Sequence, residues 1–109
     1  MPHPLKVMIV DDEPEAVELL SIMMERYDHV DVVTTSHDVD DAIRKYHRHA
    51  PDLVLLDIQM PGRNGFDFIE EVHHLDGNPG VIFVTAFENY AIQALRSSAF
   101  DYILKPVKS

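Results

Sequence analysis

Cysteine is absent from the 109 residues, which excludes disulfides, thiolate catalysis and cysteine metal sites. The fold must stand on packing, and 46% apolar residues are enough to build a core. Positive charge is scarce. Nine Lys and Arg against 19 Asp and Glu leave a net charge of -10, which argues against broad binding to nucleic acid or to an acidic membrane surface. The same imbalance favours a cation site. No apolar run approaches the ~20 residues that span a bilayer. The opening Met1-Pro2-His3-Pro4 has no long apolar stretch behind it, as a secretory leader would. A cytoplasmic protein without a membrane partner is expected. Repeats, low-complexity tracts and linkers are missing too, and the length fits one domain.

What is present is an alternation of short apolar runs and amphipathic stretches. Leu5, Val7, Met8, Ile9 and Val10 form a β-branched, nearly continuous run, the pattern of a strand buried on both faces. It stops at Asp11-Asp12-Glu13-Pro14. Pro14 suits the first turn of a helix and Glu13 and Glu15 suit its N-terminus. Val17, Leu20, Met24 and Tyr27 then predict a helix over 14–27. A second strand is expected over 30–34 and a second helix over 38–49, ended by Ala50-Pro51. Leu53–Leu56 reads as a third strand, and 60–65 as a loop on its Pro and Gly content. Phe66, Ile69, Val72 and Leu75 mark a third helix. Val81–Val84 is a fourth strand running into Thr85, residues 89–97 a short fourth helix with Ala91, Ala94 and Leu95 on one side, and Tyr102–Leu104 a fifth strand. This order predicts an α/β fold, a parallel sheet with helices on both faces. A fifth helix would normally cover the last strand, yet three residues after Lys105-Pro106 the chain stops. Either the chain is a piece of a longer one, or something else covers that surface.

Polar residues fall at the ends of the strands. Asp11 and Asp12 end the first, Asp57 the third, Thr85 the fourth and Lys105 the fifth. Ligands of open parallel sheets bind beyond the carboxyl ends of the strands, so these side chains should converge. Each alone has an ordinary reading, as a turn residue, a helix cap or a solvated edge residue. Together, three carboxylates repel unless a cation sits among them. An all-oxygen donor set suits Mg²⁺. A metal among carboxylates beside a hydroxyl and a lysine is what phosphoryl transfer requires. One carboxylate can be the nucleophile. Asp57, on the central Leu-rich strand with a loop behind it, is the candidate, leaving Asp11 and Asp12 to hold metal. The histidines at 47, 49, 73 and 74 lie on helices at spacings that do not share a face, and read as solvated surface. The acids at 38, 40 and 41 read as helix N-terminal charge.

Val10-Asp11-Asp12-Glu13-Pro14, Asp52-Leu53-Val54-Leu55-Leu56-Asp57-Ile58-Gln59-Met60-Pro61-Gly62, Gly65, Val84-Thr85-Ala86 and Asp101-Tyr102-Ile103-Leu104-Lys105-Pro106 occur in that order. By these motifs the chain resembles the receiver domain of bacterial two-component response regulators, from Leu5 to Lys105. The resemblance implies a flavodoxin-like, doubly wound fold with strand order 2-1-3-4-5 and one receiver domain over 1–109. It implies that Asp57 is the phosphoacceptor and that Asp11, Asp12, Asp57 and the Gln59 backbone carbonyl bind Mg²⁺. Thr85 and Lys105 would stabilise the phosphoryl group, Thr85 and Tyr102 would be switch residues, and a cis bond would precede Pro106. Ala86 would leave the phosphoryl route open. The donor would be a histidine kinase, and the domain a switch with self-phosphorylation and slow autodephosphorylation rather than an enzyme. Thr85-Ala86-Phe87-Glu88-Asn89-Tyr90-Ala91 and Ala99–Pro106 resemble regulators with a LytTR-type DNA-binding output, which would lie beyond Ser109. The receiver itself would touch no nucleic acid. Family members dimerise through the face of the fourth helix, fifth strand and fifth helix, so a homodimer there is open to question without that helix. Two other readings fit the residues less well: a Mg²⁺-dependent aspartyl-phosphate phosphohydrolase, which would want an acid where Gln59 stands, and a receiver-shaped interaction domain that has lost its chemistry.

Overall fold

The computed structural model describes residues 3–75, 77–96, 99 and 101–107, apart from the side chains of 92 and 95. The elements are β1 (Leu5–Val10), α1 (Pro14–Met24), β2 (Val30–Ser36), α2 (Val39–His49), β3 (Leu53–Leu56), α3 (Gly65–His74), β4 (Gly80–Thr85), a 3-10 turn (Glu88–Tyr90), α4 (Ala91–Arg96) and β5 (Asp101–Leu104). All strand pairs are parallel, in the order β2-β1-β3-β4-β5. The flavodoxin-like order implied by the family resemblance is therefore the one observed. No helix follows β5 among the described residues.

The strand periodicity of two divides the core into two layers. Met8 and Val10 on β1, Val54 and Leu56 on β3, and Val81 and Phe83 on β4 face α2 and α3, with Ala94 of α4 added. Val7, Ile9, Leu55 and Val84 face the other way, against Val17 and Leu20 of α1. The α1 side is thinly covered, and Ile103 and Leu104 on the edge strand β5 stay exposed. Both layers end at the carboxyl edge of β1, β3 and β4, so that edge is framed by rigid strands and open above.

Helix boundaries follow local chemistry. Asp38 caps α2 by accepting from the Asp41 N–H at 2.7 Å. Asn64 and Asp67 form a reciprocal capping box on α3, with bonds of 2.8 and 3.0 Å. Ala50 ends α2 in the left-handed region, φ 45°. Helix α1 stops at Met24, short of the predicted 27. The Arg26 and Tyr27 N–H groups turn back to Met23 and Met24, because Val30 must leave the helix to pair with Leu5; Tyr27 is exposed. In α3, Ile69 and Val72 are buried and Phe66 packs on the core as expected, but one end of the stripe differs. Phe68 is fully buried and Leu75 is exposed, since steps of three alone drift around a helix while 65, 68, 69 and 72 stay on one face. Burying Phe68 contributes about 2–3 kcal/mol. The fourth helix divides into the 3-10 turn and six α-helical residues. The Leu95 side chain and residue 97, assigned to that helix from sequence, lie outside the described residues.

Candidate functional site

Two backbone bonds beyond the strands set the site. The Asp57 N–H donates to Val10 O at 2.9 Å and the Asp11 N–H to Ser36 O at 3.0 Å. They carry the β1–β3 and β1–β2 pairings one step past the strand ends, so Asp57 stands beside Asp11. Carboxylate oxygens of Asp11, Asp12 and Asp57 all lie within 4.8 Å of one another. Asp11 and Asp57 are 1% and 5% exposed, and Asp12 is half-buried. Gly65 lets the α3 start lie flat against this strand end: a Cβ there would stand 2.5 Å from the Asp57 carbonyl oxygen.

Lys105 reaches in from the end of β5, where its backbone N–H donates to Thr85 O at 2.8 Å. Its ammonium lies 2.8 Å from Asp11 Oδ2, 2.6 Å from Glu13 Oε1 and 3.5 Å from Asp57 Oδ2. The Lys105–Pro106 bond is cis. Burial works against the lysine's charge, but the close ion pairs with Asp11 and Glu13 and the charge of Asp57 overcome it and hold its pKa well above the usual range. The Asp57 carboxyl is pushed up, first by burial and then by the Asp11 charge, against Lys105, the Thr85 hydroxyl and the Ile58 N–H, which favour the anion. That Ile58 bond to Asp57 Oδ1 is 2.8 Å.

The donor set fits a hard divalent cation. Asp11 Oδ1 accepts from the Glu13 N–H at 2.9 Å. Asp11 Oδ2 is buried without a hydrogen-bond donor, facing the ammonium as a charge contact only. A buried carboxylate oxygen left in this condition inside a cluster of three acids is where a cation relieves both desolvation and repulsion. The ligand types are oxygen alone, which selects Mg²⁺ over softer metals.

The remaining predicted positions surround this cluster. Thr85 is fully buried, and its Oγ1 accepts a long 3.4 Å bond from the Phe87 N–H. Ala86 is exposed and lines an apolar groove with Leu19, Leu20, Val84, Pro106 and Val107. Tyr102 is half-buried, its ring 6.1 Å from that of Phe83 and its hydroxyl donating to Phe87 O; burial raises its pKa. Gln59 is exposed and its amide nitrogen donates to the Tyr90 hydroxyl at 2.9 Å.

Three contacts were not legible as such. Glu13 reads in sequence as helix N-terminal charge, but it makes no side-chain cap on α1 and turns to Lys105 instead. Its place directly after the acid pair at a strand end was the signal. His37 Nδ1 lies 3.0 Å from Asp11 O, and Tyr90 holds Gln59; these depend on tertiary packing across 26 and 31 positions.

Comparison with known proteins agrees with this geometry. The family model described as the response regulator receiver domain matches residues 7–109. The sensory transduction protein LytT of Bacillus anthracis is 39% identical over 102 residues, covering 94% of this chain and 42% of the relative. The transcriptional regulatory protein BtsR of Salmonella typhi is 40% identical over 104 residues, covering 95% and 43%. The chain thus spans less than half the length of these relatives. Among solved structures, the response regulatory domain of mrkE from Klebsiella pneumoniae superposes with a TM-score of 0.85 at 31% identity, covering 94% of this chain and 84% of that one. The CheX-CheY-BeF3-Mg+2 complex from Borrelia burgdorferi gives 0.88 at 30% identity, covering 97% and 81%. With its sheet order, its strand-end acids and these matches together, the chain belongs to the response regulator receiver domain family.

Proposed function

We propose that this chain is the phosphoacceptor switch of a two-component system, a signalling domain rather than an enzyme, with Asp57 as the acceptor. The observation that carries the reading is the buried cluster of Asp11, Asp12 and Asp57 with the Lys105 ammonium against two of its members. An Asp57 oxygen attacks phosphorus, and the bond from phosphorus to the kinase histidine nitrogen breaks, its electron pair staying on the imidazole. Asp11, Asp12, Asp57 and the Gln59 carbonyl would hold Mg²⁺, which when bound would neutralise charge on the transferring group. Lys105 binds one phosphoryl oxygen as a point charge, and the Thr85 hydroxyl donates to another. Ala86 leaves the approach clear. Thr85 movement draws the β4–α4 segment with it, and Tyr102, now tied to Phe87 O, changes its seat in response.

The domain is cytoplasmic in this reading and makes no contact with nucleic acid itself. Its LytT and BtsR relatives are more than twice its length, which supports a LytTR-type output domain outside residues 1–109 as the element it regulates. The exposed Ile103 and Leu104 beside α4 support a homodimer through that face. The test is intact mass after acetyl phosphate with Mg²⁺. The wild type gains one phosphoryl group and Asp57→Asn gains none; equal labelling of the two removes Asp57 from the role.

A further inference from the structure

Gln59 is an exposed side chain two residues beyond the acceptor, where solvent would ordinarily leave a long amide free to rotate. Here it is not free. Its Nε2 donates to the Tyr90 hydroxyl at 2.9 Å. Tyr90 is in turn a fixed post: its ring packs on the core, 6.1 Å from the Phe66 ring and 6.2 Å from that of Phe87. The residue that leads into the same 3-10 turn anchors Tyr102, whose hydroxyl donates to Phe87 O. One short segment therefore holds both an amide at the rim of the site and the aromatic residue of β5.

Resting on the phosphoacceptor reading, we infer that Tyr90 is a positioning residue that withholds the Gln59 amide from the aspartyl phosphate and thereby lengthens its lifetime. A primary amide offers a donor and an acceptor at once. That combination orients a water for in-line attack on phosphorus. In the hydrolysis, the water oxygen forms a new bond to phosphorus while the bond to the Asp57 oxygen breaks. The electron pair returns to the carboxylate, the water proton passes to solvent, and inorganic phosphate leaves. While the amide is spent on Tyr90, it is not available to that water. Displacement of the 3-10 turn releases Gln59 and Tyr102 together, so phosphoryl lifetime and the β5 aromatic respond to one movement.

The experiment is loss of the phosphoryl mass increment with time after removal of acetyl phosphate, in the wild type, Tyr90→Phe, Gln59→Leu and the double variant. Tyr90→Phe keeps the ring and deletes only the hydroxyl. It hydrolyses about fivefold faster than the wild type, the rate equivalent of one ordinary hydrogen bond. In the Gln59→Leu background the same substitution has no effect. An unchanged or slower rate in Tyr90→Phe overturns the inference, as does an acceleration that persists without Gln59. The Gln59 side-chain amide resonances give a second readout that needs no phosphate. They shift in Tyr90→Phe, and resonances unmoved by that change overturn the tether. A wild type that takes no phosphoryl group with its amide tether intact would instead refute the phosphoacceptor reading.

Discussion

Replacing Asp57 by Asn should stabilise the protein at neutral pH in the absence of divalent cations. At an effective dielectric of about 20, two unit charges within 4.8 Å of each other repel by at least about 3.5 kcal/mol. Asp57 faces two such neighbours, against an attraction of about 5 kcal/mol to the ammonium at 3.5 Å. Asp12 is half exposed, so water screens its share, and a net gain of about 1–2 kcal/mol is expected for the neutral amide. For a domain of this size that is roughly 5–10 °C in Tm. The pH dependence has a definite sign. Asp57 is raised above its unfolded value, so the wild type is at its relative best below the unfolded carboxyl pKa of ~3.9 and loses stability as pH rises through the raised folded value. The advantage of Asn should thus be full at pH 7 and vanish in acid. Mg²⁺ at 100 times its Kd would add about 2.7 kcal/mol to the wild type and reverse the order. Calorimetry of both proteins from pH 3 to 8 with and without Mg²⁺ reads all three effects. A less stable Asn variant at pH 7 without Mg²⁺, or a pH-independent difference, refutes the electrostatic account.

Other outcomes follow from the same geometry. Lys105→Met leaves buried Asp11 and Asp57 without their ammonium and should cost about 2–4 kcal/mol in urea unfolding at pH 7, the opposite sign to Asp57→Asn; a neutral result would show that the lysine is merely a rim residue. Gly65→Ala forces a Cβ to 2.5 Å from the Asp57 carbonyl oxygen. It should cost about 1–3 kcal/mol and shift Asp57, so under the phosphoacceptor reading labelling by acetyl phosphate should slow in a protein that still melts cooperatively.

Legibility in the sequence tracked how local each determinant was. Strands β1, β3 and β4 were plain because burial on both faces writes a continuous apolar run. The strand-end residues 11, 12, 57, 85 and 105 were legible because parallel topology forces all five to one edge, and the structure places them there. Helix α1 was read too long because Tyr27 keeps the apolar spacing, while the competing demand, Val30 pairing with Leu5, is non-local. Phe66 and Phe68 both pack on the core, but steps of three from Phe66 lead to exposed Leu75, whereas Phe68 shares the face of Ile69 and Val72. Glu13 illustrates a different failure: its residue type satisfied a local rule, helix N-terminal charge, and nothing local showed that Lys105 would compete for it. Gln59 and Tyr90 carry no pairing signal at all, since each is an ordinary rim residue until the two loops meet.

The walls of the pocket differ in stiffness. On the β3–α3 side, Arg63 bridges Asp40 of α2 at 2.9 Å and Glu71 of α3 at 2.8 Å, the capping box closes the helix start, and Gly65 is wedged against Asp57. On the β4–α4 side there is a 3.4 Å bond from Phe87 to Thr85 and a three-residue turn without a side-chain cap. Under the phosphoacceptor reading, a change of charge at Asp57 meets a salt-bridged, capped wall on one side and, on the other, a turn held through two tyrosine hydroxyls and one long bond to Thr85. The asymmetry between the two walls belongs to the resting protein and precedes any change of charge.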